Sequence, residues 1–441
     1  MERSERLAAY LDEVCAQVRW KQAHPVIARE LADHIEDERQ GFIAQGFPEE
    51  AAENQAIKAM GNALEVGKRF DEAYRPQKNW SVWLPFAVLL VFGFFARAYV
   101  KESFSLDHTP ALLIVFFGIC FVPVDRLSKW AWIPYGVYCV LHVAMIVAPA
   151  WIYPYAPLNW YANYFLLFLP ALSALLIYRM RGRGILGVCL LCLAHTVIAL
   201  IALQNSIGNY VLVALACMCL LIYAVIQGWF TCNKAIAISI AVGPAVLLLA
   251  AMVVAQPHRF VQMLTLVSPE MDPQGAGFLG TTIREVLAAA KFVGPMDSAL
   301  LDGAVVDYIF RSTLFANDCM LTLIAARLGK IVFVLAVLLL LIFMFFSLRL
   351  CFKQRSMLGR FLSLSVLLTF AVQAAGYIAG NMGVILLLRY PMPFVAYGNQ
   401  AMLCNLILCG LLFSTFRTGA LLDDRVMQRQ PQWKIKLVRE L

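Results

Sequence analysis

From position 80 to about 417 the chain is a series of long apolar runs broken by short polar interruptions. A membrane-spanning helix needs roughly 20 mostly apolar residues, and the runs predict about ten of them. They cover 82–99, 109–124, 130–149, 161–178, 184–203, 208–229, 234–255, 320–347, 358–379 and 395–416. Residues 1–78 are charged instead, with apolar residues at helical spacing. Ile27, Leu31, His34 and Ile35 mark one stripe, and Ala51, Ala52, Ala56, Ile57 and Met60 another. Gly41 and Gly46 punctuate the gap, Pro48 belongs to a first helical turn, and Gly61 ends that helix. A further short helix reaches Tyr74, ahead of Pro76. The expected fold class is all-α. It comprises a three- or four-helix cytoplasmic domain (1–78), a polytopic membrane helix bundle (79–417) and a basic cytoplasmic tail (418–441). One interruption is much longer than the rest: 256–315 reads as a polar loop between the seventh and eighth spans. Loops that long inside compact bundles are usually functional or disordered. This loop, and Asn317-Asp318-Cys319 after it, is the first place to look for chemistry.

A hydrophobic fraction of 61% and a mean hydropathy of +0.72 exceed what one soluble core can bury. The first apolar run begins after Asn79, so no signal peptide is expected and the N-terminus is placed in the cytoplasm. The net charge of +8 follows topology and calls for no nucleic acid. With the N-terminus inside, Arg126 and Lys129, Arg179, Arg181 and Arg183, Lys234, and Arg349, Lys353, Arg355 and Arg360 all fall on the cytoplasmic side. The tail from Arg417 does too, whereas the turns at 150–160 and 204–209 carry no Lys or Arg. This is the positive-inside bias, and it turns the long loop and Asp318 outward. Trp130, Trp132, Trp151 and Trp160 read as an aromatic belt. Cys189 and Cys192 read as small apolar side chains in a helix, and no disulfide framework is visible. His24, Asp33, His34, Glu36, Asp37 and Glu38 spread around their helix as a solvated face, not a metal site. His195 lies deep in a span, where an interhelical hydrogen bond accounts for it. Cofactors stay open: a divalent cation is compatible, but no ligand cluster stands out.

Four stretches then add up. Leu203-Gln204-Asn205-Ser206-Ile207-Gly208, at a helix end, resembles a Gln-Pro-x-x-Gly motif. Pro269-Glu-Met-Asp-Pro-Gln-Gly275 with Gly277-Phe278 resembles Asn-Pro-x-x-Asp-Pro-x-Gly-x-Gly-Tyr. The stretch from Asn317 through Asp318 to Gly329 resembles Thr-Asp-Phe-Ile-Phe-Ala-x-Ile-x-Glu-Glu-Leu-Gly. Pro393-Phe-Val-Ala-Tyr-Gly398 resembles Leu-Pro-Phe-x-Ser-Tyr-Gly-Gly-Ser ahead of a last span that here holds Asn405. In this order and topology they resemble the SEDS family (shape, elongation, division and sporulation; FtsW/RodA/SpoVE type) across roughly residues 82–417. The resemblance implies a peptidoglycan glycosyltransferase of the bacterial cytoplasmic membrane. It would polymerise lipid II, the undecaprenyl-pyrophosphate-linked disaccharide-pentapeptide, with a class B penicillin-binding protein as partner. The family's catalytic Asp falls on Asp318. Separately, Arg29-Glu-Leu-Ala-Asp-His-Ile-Glu-Asp37 with Gly46, Glu49-Glu50-Ala51 and Met60-Gly61 resembles the prefix domain ahead of some bacterial permeases, which implies protein contact or regulation.

The implied chemistry suits these residue types. A sugar hydroxyl is a poor nucleophile until a proton leaves, and a carboxylate in hydrogen-bond reach takes it, for roughly 10²–10⁴ in rate. The leaving pyrophosphate gathers charge that Arg or Lys can stabilise. Arg259, Arg284 and Lys291 are the first candidates, with Arg311 in the same loop and Arg97 and Arg389 at helix ends. Gln204 and Tyr397 complete the substrate-binding set; their plain readings are a helix-end cap and the entry to the last span. Gly275, Gly277 and Gly280 read as turn residues. The chain departs from the pattern in places. The Glu-Glu pair is Ala326-Arg327, where an added cation could lower the proton affinity of the base or hold phosphate. Gly-Ser after Tyr-Gly is replaced by Asn399-Gln400. Two alternatives therefore stand beside the enzyme: a non-catalytic scaffold binding the lipid-linked precursor and its synthase partner, and a precursor transporter or flippase. A transporter should show midplane ionisable groups or internal repeats, and neither is evident.

Overall fold

A computed structural model of the chain describes residues 5–74, 79–101, 109–152, 158–202, 207–255, 264–265, 268–275, 277–354, 356–384 and 390–418. It divides into two compact units, one built on 1–78 and the other on 79–354 with 358–416.

The first unit holds four helices: α1 (Glu5–Gln17), α2 (His24–Ala44), α3 (Glu49–Met60) and α4 (Ala63–Tyr74). Leu11, Val14, Val18, Ile27, Leu31, Ile35 and Ala56 form its buried core. The α2 stripe is narrower than the spacing suggests: His34 is exposed, one residue off the buried line Ile27–Leu31–Ile35. Gly67 has no side chain because α1 occupies the space; a Cβ there would lie 2.6 Å from Gln17 Cβ. Asp71 accepts from the Arg19 amide at 2.8 Å, and the Tyr74 hydroxyl donates to Glu30 at 2.6 Å, tying α4 back to the rest. Glu36 pairs with Arg39 at 2.8 Å on the solvated face.

The second unit is mainly helical, and its one strand-like contact among the described residues is the Met392–Val395 bridge. Its helices are α5 (Trp80–Lys101), α6 (Thr109–Cys120), α7 (Val124–Lys129), α8 (Trp132–Ile152), α9 (Leu158–Phe165), α10 (Leu169–Arg179), α11 (Gly184–Ala202), α12 (Ile207–Ile226) and α13 (Lys234–Ala255). They continue with α14 (Phe278–Ala289), α15 (Gly303–Arg311), α16 (Thr313–Asp318), α17 (Met320–Leu328), α18 (Lys330–Lys353), α19 (Met357–Asn381) and α20 (Asn399–Thr418). Among the described residues, five stretches are long and apolar enough to cross a membrane: Trp80–Val100, Ala162–Arg179, Lys330–Lys353, Met357–Asn381 and Asn399–Thr418. Shorter apolar helices lie at Thr109–Cys120, Trp132–Ile146, Gly184–Ile198, Val213–Ile226 and Lys234–Leu247. His195 of α11 meets the Ser173 hydroxyl of α10 at 2.7 Å, the interhelical bond expected of a buried imidazole.

Two sequence expectations change. The segment 256–315, read as a loop, holds α14 and α15 in its described part, because its apolar residues recur at helical spacing between the charges. The single apolar run 320–347 splits at Gly329, whose φ of +107° no helix accommodates. A nine-residue helix, α17, precedes the break, and the long helix α18 starts at Lys330. Gly329 is where the chain 292–294 passes closest: a Cβ would sit 2.6 Å from the Phe292 carbonyl oxygen.

Residues 390–396 are irregular and fully buried. Irregular backbone survives inside a membrane bundle only when protein satisfies its polar groups. Here the Gln373 amide donates to the Pro391 carbonyl at 2.7 Å, and the Tyr390 hydroxyl to the Asn163 carbonyl at 3.0 Å. Phe394 is held at φ +64° with its ring against Phe86, Phe343 and Phe370.

Candidate functional site

Asp318 ends α16, and Cys319, with φ −125° and ψ 34°, turns the chain into α17. The Ser312 hydroxyl caps α16 by accepting from the Phe315 amide at 3.2 Å. From Met320 to Ala326 every residue of α17 is buried, whereas Asp318 is half-exposed. The carboxylate thus occupies the last partly open position before a helix enclosed by protein.

A buried helix start must satisfy its free amides. Cys319 makes no side-chain cap, and α19 supplies the caps instead. The Met320 amide donates to the Tyr377 hydroxyl at 3.0 Å, and the Thr322 amide to Asn381 Oδ1 at 3.0 Å. The Thr322 hydroxyl lies 3.0 Å from both Asn381 Oδ1 and the Asn381 carbonyl oxygen. Asn381 Nδ2 donates to the carbonyls of Tyr377 at 3.0 Å and of Asp318 at 3.3 Å. One buried amide therefore fixes both the helix start and the backbone that carries the carboxylate.

The Asp318 charge reaches the hydroxyls of Tyr164, Tyr308 and Tyr377. Tyr308 packs on Phe278 and Phe315, joining α14, α15 and α16. Its phenol is held above the usual range, first by burial and then by the charges of Cys319 and Asp318. The Cys319 thiol is pushed up more strongly, by burial and then by Asp318. Both effects keep the phenol and the thiol protonated.

The other candidates are distributed unevenly. Arg284 comes to the same corner through α19: its Nε donates to the Gly383 carbonyl at 2.8 Å, two residues beyond Asn381, and its guanidinium pairs with Glu270. It braces the Pro269–Met271 turn against the end of α19. Lys291 is exposed, and its carbonyl accepts from the Lys330 amide at 3.0 Å, so it belongs to the opposite end of α17, about 13 Å away along that helix. The structure does not bring it to Asp318. Arg327 is at that far end too, its guanidinium 5.3 Å from the Phe310 ring centroid and 6.0 Å from that of Tyr99. Arg311 pairs with Asp307 at 3.3 Å on the surface, and Arg97 is buried in α5. Tyr397 is half-buried between the enclosed 390–396 segment and α20. Gln204, Arg259 and Arg389 lie outside the described residues. Gly275 and Gly277 are in a turn as expected, but Gly280 is inside α14. Sequence reasoning missed Tyr377, Asn381, Thr322, Tyr164 and Tyr308. The one available signal was an Asn closing an apolar helix, since buried polar groups in spans carry roles.

The profile of the cell cycle protein family FtsW/RodA/SpoVE matches residues 112–418. Two curated relatives are each named "Probable peptidoglycan glycosyltransferase FtsW". That of Idiomarina loihiensis is 25% identical over 187 residues, 42% of this chain and 44% of the relative. That of Trichlorobacter lovleyi is 25% identical over 163 residues, 37% of this chain and 42% of the relative. The alignments thus span less than half the length of these relatives. Among solved structures, a chain from work on the structural coordination of polymerization and crosslinking by a peptidoglycan synthase complex superposes with a TM-score of 0.57 at 16% identity, covering 77% of this chain and 98% of that one. A mutant of the rod shape determining protein RodA of Thermus thermophilus superposes with a TM-score of 0.50 at 16% identity, covering 77% and 97%. The fold is shared, and with helices of spanning length this is an integral membrane protein. With more than half its length matched by the family profile, the chain belongs to the FtsW/RodA/SpoVE cell cycle protein family, the SEDS family.

Proposed function

We propose that this chain is a membrane glycosyltransferase that polymerises lipid II, with Asp318 as general base and a class B penicillin-binding protein as its partner. The names of the curated relatives support the reaction class, and the synthase complex supports a partner of that kind. The observation that carries the reading is a half-exposed carboxylate at the head of an enclosed helix, locked from α19. Asp318 takes the proton from the acceptor sugar hydroxyl as that oxygen attacks the donor's anomeric carbon. The bond to the lipid pyrophosphate breaks with inversion, and the proton passes on to water. Tyr164 and Tyr308 supply donors that orient sugar oxygens beside the base. Arg284 already has two partners, so Arg259 is the first candidate for phosphate. The five shorter apolar helices complete ten spans, both termini are cytoplasmic, and Asp318 faces outward. Residues 1–78 then act as a cytoplasmic contact or regulatory domain.

The test is polymerisation of labelled lipid II by the purified protein, with and without a class B penicillin-binding protein, against Asp318→Ala. Glycan chains that vanish in the variant support the enzyme. The scaffold reading has its own observation: the family's acid pair is replaced by Ala326, buried, and Arg327, parked on aromatic rings. No product with any partner, but retained binding of lipid II, favours the scaffold. Labelled lipid crossing a liposome bilayer favours transport.

A further inference from the structure

We infer that residues 291–294 form a rigid apolar tip that inserts into the lipid leaflet at the N-terminal end of α18, anchoring the α14–α17 substructure to the membrane surface. Phe292 and Val293 are 66% and 65% exposed, among the most exposed large apolar side chains described. They are not on a loose loop. The Gly294 amide donates to the Leu328 carbonyl at 3.0 Å and the Met296 amide to the Ala326 carbonyl at 2.7 Å. In return the Lys330 amide donates to the Lys291 carbonyl at 3.0 Å and the Ile331 amide to the Phe292 carbonyl at 3.1 Å. Gly329, lacking a side chain, lets the two backbones touch. A locked segment that turns two large apolar side chains outward needs an apolar partner.

Register says which partner. The bond from Ile331 puts Phe292 level with the first turn of α18. That helix shows an exposed apolar stripe through Ile331, Val334, Leu335, Leu338, Leu341 and Phe345, spaced for one face. A helix of 24 residues is about 36 Å long, longer than a hydrocarbon core of about 30 Å, so its first turn lies at the interface. Phe292 and Val293 extend the lipid-facing stripe sideways at that depth. Lys291 and Lys330 flank the tip, exposed and half-exposed, where their stems lie along apolar surface and their ammonium groups reach phosphate. Charge bias assigns this as the outer leaflet. The inference rests on the membrane reading and not on glycosyl transfer, so an inactive protein leaves it intact.

The test places an environment-sensitive fluorescent amino acid at position 292, and separately at 293, in the full-length protein. Each is reconstituted alone in phosphatidylethanolamine–phosphatidylglycerol vesicles, with the same probe at Leu338 as the lipid-facing control. Lipids brominated near the top of the acyl chain should quench the tip probes about twofold, since interfacial anchors sit roughly 5–10 Å into the leaflet. Lipids brominated near the chain end should quench them less, and aqueous iodide should leave them bright. Quenching by iodide with none from brominated lipid overturns the inference in favour of a water-facing tip. Quenching by neither also overturns it, in favour of a protein cover such as a second copy of the chain.

Discussion

Replacing Asn381 by Leu removes the side chain through which α19 holds the start of α17. Asn381 is 1% exposed, so water cannot take over its bonds. The Thr322 hydroxyl keeps the Asn381 main-chain carbonyl at 3.0 Å. The Thr322 amide and the Asp318 carbonyl lose their side-chain partners. A buried polar group left unmade costs about 1–3 kcal/mol, and a lost helix cap about 1 kcal/mol. Leu keeps the branching of Asn with more bulk and returns part of this through apolar burial, which leaves a net loss of about 2–4 kcal/mol. At about 1.4 kcal/mol per tenfold, amide protection across residues 320–323 should fall roughly 30- to 700-fold. Hydrogen exchange read by mass spectrometry on the full-length protein in nanodiscs measures this directly. Polymerisation of lipid II in the same preparation should fall by about 10²-fold, the usual effect of moving a catalytic group by an ångström. Unchanged exchange at 320–323 would refute the clamp. Accelerated exchange with full polymerase activity would refute its role in placing Asp318.

Further outcomes follow from the same geometry. Tyr377→Phe removes the acceptor for the Met320 amide and the hydroxyl's contact with the Asn381 side chain, and should destabilise by about 1–2 kcal/mol, with a smaller exchange effect than at Asn381. Asp318→Asn keeps the shape but not the base; turnover should drop by about 10²–10⁴ while lipid II binding by fluorescence anisotropy persists, and loss of binding instead would recast the residue as a ligand contact. Gly329→Ala meets both a φ of +107° and the Phe292 carbonyl, so thermal unfolding should move down by a margin matching about 2–4 kcal/mol; an unshifted midpoint would mean the 292–294 contact does not hold α17. The Cys319 thiol is raised by burial and by Asp318, so the unfolded chain ionises first. Its contribution to stability is intact below the ordinary thiol pKa of about 8.5 and declines above it. Alkylation of Cys319 in the folded protein, followed by peptide mass, should lag its alkylation in the denatured protein at pH 8, and equally fast labelling would contradict the enclosure.

The helices of both units were legible because an apolar run or a stripe is a local property. The runs at 234–255 and 358–379, for example, reappear as Lys234–Ala255 and Met357–Asn381. Asp318 was legible only through its motif. The run at 320–347 misled because apolarity does not separate a helix buried in protein from one buried in lipid. Gly329 marked the break, yet a lone glycine inside an apolar run is weak evidence by itself.

What the chain's order of residues determined, then, was an all-α membrane protein, the positions of its apolar helices, and one acid at the head of one of them. What only the tertiary structure decided was the setting of that acid. The partners that cap α17 come from Tyr377 and Asn381, 57 and 59 positions further along the chain, and Arg284 is drawn to a carbonyl 99 positions away. Local pattern encodes which residues avoid water. It does not encode which distant donor meets which acceptor, because that depends on how the helices pack once they have left it.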